Sequence, residues 1–242
     1  MLPGADISCW DGPGPWQDAD IAWAAVTVTE VRADGSRWQS ATAGGEWEWL
    51  AANGKTRIAC LIGHPASSPQ ESARFFAASV TNLGLGDGDG IAVSLDTADS
   101  RNAAQVSVWA RMVSRTVEAL LRRVPVICTS PDFAAAGNCS GLGPLPLWIF
   151  APAEPPGQPP VPKPWESWAV HQGAGGRAFA AYASAEEMRT ALGAARAKPR
   201  RPVTPAARRF LEALSDGSPG LDAAMRALGD EIAADLAAQG GS

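Results

Sequence analysis

Short apolar runs rich in β-forming residues recur along this 242-residue chain at 5–8, 24–29, 57–62, 91–96, 124–129, 145–150 and 167–171. Helical patterns separate most of them, and that alternation constrains the fold more than any other feature. Strands alternating with helices imply βαβ units and a parallel sheet. Helix signals fall at 45–53, from Ser68, at 102–123, as a short turn at 131–137, and from Ser184 to about 196. Ser68-Pro69-Gln70-Glu71 and Ser184-Ala185-Glu186-Glu187 have the form of capping boxes, the first with proline at the opening helical position. Val106, Trp109, Val113, Val117 and Leu120 place one apolar stripe on the 102–123 helix.

The strand-like runs end in acids. Ile91-Ala92-Val93-Ser94-Leu95 leads to Asp96, and Gly4-Ala5 leads to Asp6. Side chains two apart on a strand share a face. Position 98, where a second acid would point the same way as Asp96, is alanine. Acids at the C-terminal ends of parallel strands are where closed (β/α) barrels place their chemistry, so a barrel is the preferred architecture.

Composition narrows the function. With 46% hydrophobic and 19% charged residues the chain reads as globular, and its net charge of −5 gives no reason to expect nucleic acid as a partner. No apolar run approaches the ~20 residues of a membrane span, and the first residues lack the basic-then-apolar pattern of a secretion signal. Two histidines and four scattered cysteines, with no Cys-x-x-Cys pair, predict neither metal nor cofactor. Cys9, Cys60, Cys128 and Cys139 read as buried thiols, with a Cys128–Cys139 disulfide as the alternative. Ten tryptophans against one tyrosine suggest that some indoles line a cleft while others fill the core.

Seven prolines between residues 151 and 164 rule out regular structure there and predict a long loop. The barrel is expected to occupy 1–196, a basic proline-rich linker 197–203, and a helical tail 204–242. Leu221, Met225, Leu228, Ile232 and Leu236 give that tail an apolar stripe, so it is expected to dock on the barrel, on a protein partner or on copies of itself.

Taken together the motifs resemble the family 25 glycoside hydrolases, lysozymes that cleave peptidoglycan between N-acetylmuramic acid and N-acetylglucosamine. Gly4-Ala5-Asp6-Ile7-Ser8 is similar to their opening strand, and Val28-Thr29-Glu30 to a second strand ending in glutamate. Gly63-His64 followed by Gln70 and Phe75-Phe76, then Leu95-Asp96, Pro146-Leu147-Trp148-Ile149 and Trp168-Ala169-Val170-His171-Gln172 follow in the family's order across residues 4–182. The resemblance implies an irregular, TIM-like α/β barrel with catalytic acids at Asp6 and Asp96. It implies glycan contacts from Trp10, His64, Trp148, Trp168 and Gln172, and peptidoglycan glycan strands as the partner.

The same resemblance exposes two vacancies. The proton-donating glutamate two residues after Asp96 is Ala98 here, and an aspartate expected after the Trp-Gln segment is Ala178. Glycosidases work with a proton donor and a second carboxylate, so these losses imply a degenerate site. Glu30 is an acid that could reach the pocket if burial raised its pKa. Asp99 faces away from Asp96 on a continuing strand unless a turn redirects it. His64 reads as a packed loop residue without an obvious partner. The expected roles are a non-hydrolysing wall-binding module in a phage virion or host cytoplasm before release, an active muramidase with a non-standard acid, or a purely structural subunit.

Overall fold

The computed structural model describes residues 1–7 and 20–193, so Cys9, Trp10, the linker and the tail lie outside the described residues. Nine strands form one sheet: β1 (Leu2–Ile7), β2 (Trp23–Val31), β3 (Arg37–Gln39), β4 (Thr56–Ile62), β5 (Gly90–Ser94), β6 (Val126–Thr129), β7 (Leu147–Phe150), β8 (Val170–Gln172) and β9 (Arg177–Ala180). Their order is β1-β9-β8-β7-β6-β5-β4-β2-β3, and β1 also pairs with β2. Eight strands therefore close on themselves, while β3 hangs from β2 as an antiparallel hairpin partner. Ladders from β1 through β2 and β4 to β8 are parallel, whereas β9 runs antiparallel to both β8 and β1. The expected barrel is present, with one reversed strand and few helices.

Helices α1 (Ala43–Ala52), α2 (Pro69–Asn82) and α3 (Ala103–Leu121) follow β3, β4 and β5. Asn102 and Gln105 close a reciprocal capping box at the start of α3. At α2 the box is only half made. Ser68 Oγ accepts from the Glu71 backbone N–H, but the Glu71 carboxylate turns away to Arg37 at 2.8 Å. Ser130 caps α4 (Pro131–Phe133), which runs into a π turn at Ala134–Asn138.

Two apolar layers result. The outer one packs Val26, Leu61, Val93 and Ile127 against Phe76, Val113 and Val117 of the helices. The inner one fills the barrel with Trp23, Ala25, Cys60, Ala92, Cys128, Trp148 and Ala178. Trp23 and Trp148 meet edge to face at 5.7 Å. Gly4 has no Cβ because the Trp23 indole occupies the place one would take. Helix α5 (Ala185–Gly193) plugs the end where the strands begin, sending Met188 and Leu192 into the inner layer.

Cys128 lies in the inner layer and Cys139 in the outer one, so the alternative disulfide is not formed, and both are free buried thiols with Cys60. The 151–164 segment links β7 to β8 without regular structure, as its prolines require. His171 ties it down: Nδ1 accepts from the Gly157 N–H at 3.0 Å and Nε2 donates to the Ala151 carbonyl at 3.0 Å. No described helix is long and apolar enough to cross a membrane.

Candidate active site

Parallel strands deliver their last side chains to one rim, and Asp6, Glu30, His64, Asp96 and Gln172 all reach it. Asp6 stands near the end of β1, opposite Ala25 of β2. Its carboxylate accepts from Gln172 Nε2 at 2.9 Å, while Gln172 Oε1 accepts from Trp148 Nε1 at 2.9 Å. The indole thus fixes which way the amide points, and the amide fixes the carboxylate. Trp148 is 1% exposed, so the expected sugar-stacking role gives way to one of orientation from within the core.

Glu30 reaches the rim through an irregularity in β2. Alternation from Thr27 would send residue 30 to the helix side, but the register to β4 slips between Thr27 and Thr29. Thr29 then pairs with Leu61, and Glu30 with Ile62. The bulge turns Glu30 to the barrel side. There its Oε1 lies 2.7 Å from Arg32 Nε and 2.9 Å from His64 Nε2.

His64 follows β4 at the level of Asp96, since Ile62 pairs with Ser94 in a parallel ladder. No partner for it is evident from the sequence; the fold supplies two. Besides Glu30, Asp99 lies 3.2 Å from Nδ1. Asp99 and Ser100 both have positive φ, at 46° and 63°, in the left-handed region that non-glycine residues seldom occupy. That turn swings Asp99 back toward His64, while Thr97 Oγ1 donates to its carboxylate at 3.0 Å. An imidazole with a proton on each nitrogen donates to both acids.

Asp96 lies two residues beyond β5 and accepts from Ser94 Oγ at 3.0 Å. Part of its surface is open to solvent, yet most of its surroundings are protein, and that desolvation raises its carboxyl above the usual range against the opposing hydrogen bond from Ser94. Beneath it the Cys128 thiol is pushed well up, first by burial and then by the charges of Asp96 and Asp6. Among the described residues no group of His, Cys, Asp and Glu is arranged to hold a metal ion.

No family model and no curated protein matches the sequence. Solved structures do match. A muramidase from Acremonium alcalophilum superposes with a TM-score of 0.67 over 80% of this chain and 99% of its own, at 23% identity. A lysozyme from Streptomyces coelicolor gives 0.65, covering 79% of this chain and 97% of its own at 18% identity. A family GH25 lysozyme from Aspergillus fumigatus gives 0.65, covering 79% and 98% at 18% identity. The fold is that of the family 25 lysozymes.

Within this lysozyme-like barrel the two alanines are packing residues. Ala98 is half-buried and rests against the outer core, and Ala178 is 1% exposed in the inner layer, opposite Gln172 and Gly4. Trp168 precedes β8 and lies four residues before Gln172, about 13 Å along an extended chain. It therefore sits at the opposite end of the barrel from the acids, and the expected contact with a glycan in the acid cleft is corrected. Trp10, the remaining aromatic candidate, is outside the described residues. Sequence reasoning missed Asp99 as a partner of His64; Thr97-Ala98-Asp99-Ser100, a short polar stretch after an apolar run, was the available turn signal.

Proposed function

We propose that this chain binds the glycan strands of peptidoglycan at the acid rim and does not hydrolyse them efficiently. The observation that carries this reading is the state of positions 98 and 178. Both are methyl groups built into the packing, at the places where the family 25 pattern has carboxylates. Losing a general acid typically costs on the order of 10²–10⁴-fold. The other rim groups are engaged: Gln172 with Asp6, and Glu30 and Asp99 with His64. Hydrogen-bonding acceptors gathered at the end of the barrel still suit recognition without turnover.

The biological setting we infer is a wall-directed component of a phage particle. The basic stretch at 196–209 and the amphipathic segment at 204–242 suit attachment to a larger assembly. A second reading, residual muramidase activity, draws on one specific feature. Partial desolvation by the surrounding protein raises the Asp96 carboxyl, the direction a proton donor needs, with Asp6 as the accompanying carboxylate.

Sedimentation with insoluble peptidoglycan and dye release from labelled peptidoglycan, both on the full chain, separate these readings. Binding with no release is expected. Dye release abolished by Asp96→Asn would establish the second reading, and failure to sediment would remove the first.

A further inference from the structure

At the end of the barrel opposite the acids lies a cavity of about 740 Å³. Its position follows from the strand directions. The residues before β7 and β8 and those after the reversed β9 all converge there, next to α5. Trp165, Trp168 and Tyr182 form its aromatic part, Pro146 adds apolar surface, and Glu166 and Glu187 contribute carboxylates. The volume falls within the roughly 300–1,000 Å³ of small-ligand sites.

The walls are held in place. Trp165 Nε1 donates to the Leu145 carbonyl at 2.9 Å, and Trp168 meets the His171 ring edge to face at 6.3 Å. His171 is itself fixed at both nitrogens by the 151–164 loop. Glu187 Oε2 accepts the Ala183 N–H at 2.7 Å, which anchors that carboxylate at the start of α5. Trp168 and Tyr182 are half-buried, with part of each ring still reachable. Burial, followed by the charge of Glu187, raises the Tyr182 phenol, so it stays a hydroxyl able to donate and accept.

The lining chooses among ligands. No lysine or arginine lines the cavity, which disfavours phosphates and other anions. Aromatic faces suit the apolar C–H face of a pyranose, and carboxylate and phenol groups suit its hydroxyl edge. A compact cation would need converging acids, but Glu187 is engaged at the helix start and Glu166 is on the exposed rim.

We propose that this cavity is a second sugar-binding site, which takes a short neutral or N-acetylated glycan and is separate from the acid rim. It rests on the reading of the chain as a glycan binder only for the identity of the sugar. A protein with a site at each end of its barrel could hold two stretches of a glycan network at once, and binding would then gain from multivalency without any new contact.

Calorimetric titration of the full chain with chitotetraose tests this, using Ser167→Arg, Trp168→Ala and Gln172→Ala. Ser167 is exposed and lines the cavity, so an arginine there obstructs it without disturbing the core. The expected result is two binding events in the unmodified protein. One is weakened roughly tenfold or more by either Ser167→Arg or Trp168→Ala and left intact by Gln172→Ala. A folded Ser167→Arg protein that titrates like the unmodified chain overturns the proposal. A single event lost only in Gln172→Ala also overturns it while leaving the acid-rim reading standing. A single event lost only in Ser167→Arg supports this site and removes the acid-rim reading. Absence of any binding overturns both, and a response to cadaverine without one to chitotetraose overturns the ligand class.

Discussion

Asp89 and Asp96 flank the same strand, and the protein treats them differently. Asp89, just before β5, receives Arg57 through two hydrogen bonds of 2.8 and 2.6 Å, with the guanidinium lying 4.4 Å over the Trp47 ring. Asp96, just after β5, receives the Ser94 hydroxyl at 3.0 Å and is raised by desolvation. The first acid is neutralised where it is buried; the second is held by a neutral donor beside an opening. A charge with a matched counter-ion serves the fold, whereas a charge kept partly unsatisfied is available to a ligand.

Placing an acid at position 98 should have the largest effect. Ala98→Glu restores the side chain type that the family 25 pattern has two residues after Asp96. Dye release from labelled peptidoglycan should rise on the order of 10²-fold or more over the unmodified chain. Ala178→Asp alone should do less, because it places a carboxylate among apolar neighbours at a 1% exposed position. If Ala98→Glu folds, binds peptidoglycan and still releases nothing, the alanine at position 98 is not what sets the level of hydrolysis.

At the other end the expected loss is in stability. Arg57→Ala leaves Asp89 buried with its principal counter-ion gone and removes the contact with Trp47. Breaking such a pair typically costs about 3–5 kcal/mol, measurable by urea denaturation. A loss below about 1 kcal/mol would show that Asp89 is as well solvated as Asp96, and the contrast between the two acids would disappear.

The same contrast marks where sequence reasoning worked. The barrel was legible because most of its strands carry a near-continuous apolar run, and because Ser68 and Ser184 announce helix starts in side chains that bond to the nearest backbone. The reversed β9 was weak as a strand in composition, since Arg177-Ala178-Phe179-Ala180 has one strong β-former, and only the resemblance pointed to it. β3, three residues long, carried too little pattern to be noticed. Asp6 and Asp96 were legible as strand-end residues, and Gln172 through the resemblance alone. The Glu30–His64–Asp99 cluster was not. It depends on a register slip in β2 and a left-handed turn at 99–100, and both are decided by tertiary pairing rather than by local preference. Trp168 is a glycan contact only by the resemblance, and the strand between it and Gln172 carries it to the other end of the barrel.

A smaller effect is expected at His64. Replacing it with glutamine keeps a polar group but cannot face both acids as the ring does, at 2.9 and 3.2 Å. A loss of about 1–3 kcal/mol in urea denaturation is expected, and it should shrink when Asp99 is already asparagine, since the two side chains interact directly. Equal losses in both backgrounds would mean that the cluster does not act as a unit.

The smallest effect is the one with a definite pH signature. Folding raises the Asp96 carboxyl above its value in the unfolded chain, so the native state prefers the protonated form. Its stabilising contribution is therefore complete below about pH 3.9, the ordinary value for aspartic acid, and is lost as pH rises through the folded value. At pH 7 the native protein carries a partly desolvated charge. Asparagine mimics the neutral acid, so Asp96→Asn should melt slightly higher than the unmodified chain at pH 7. Because part of the side chain is open to water, the gain should stay under about 3 °C. The difference should vanish below about pH 4, where both proteins present an uncharged group. A gain that persists unchanged into acid would show that packing or hydrogen bonding, and not the charge, sets Asp96 apart from Asp89.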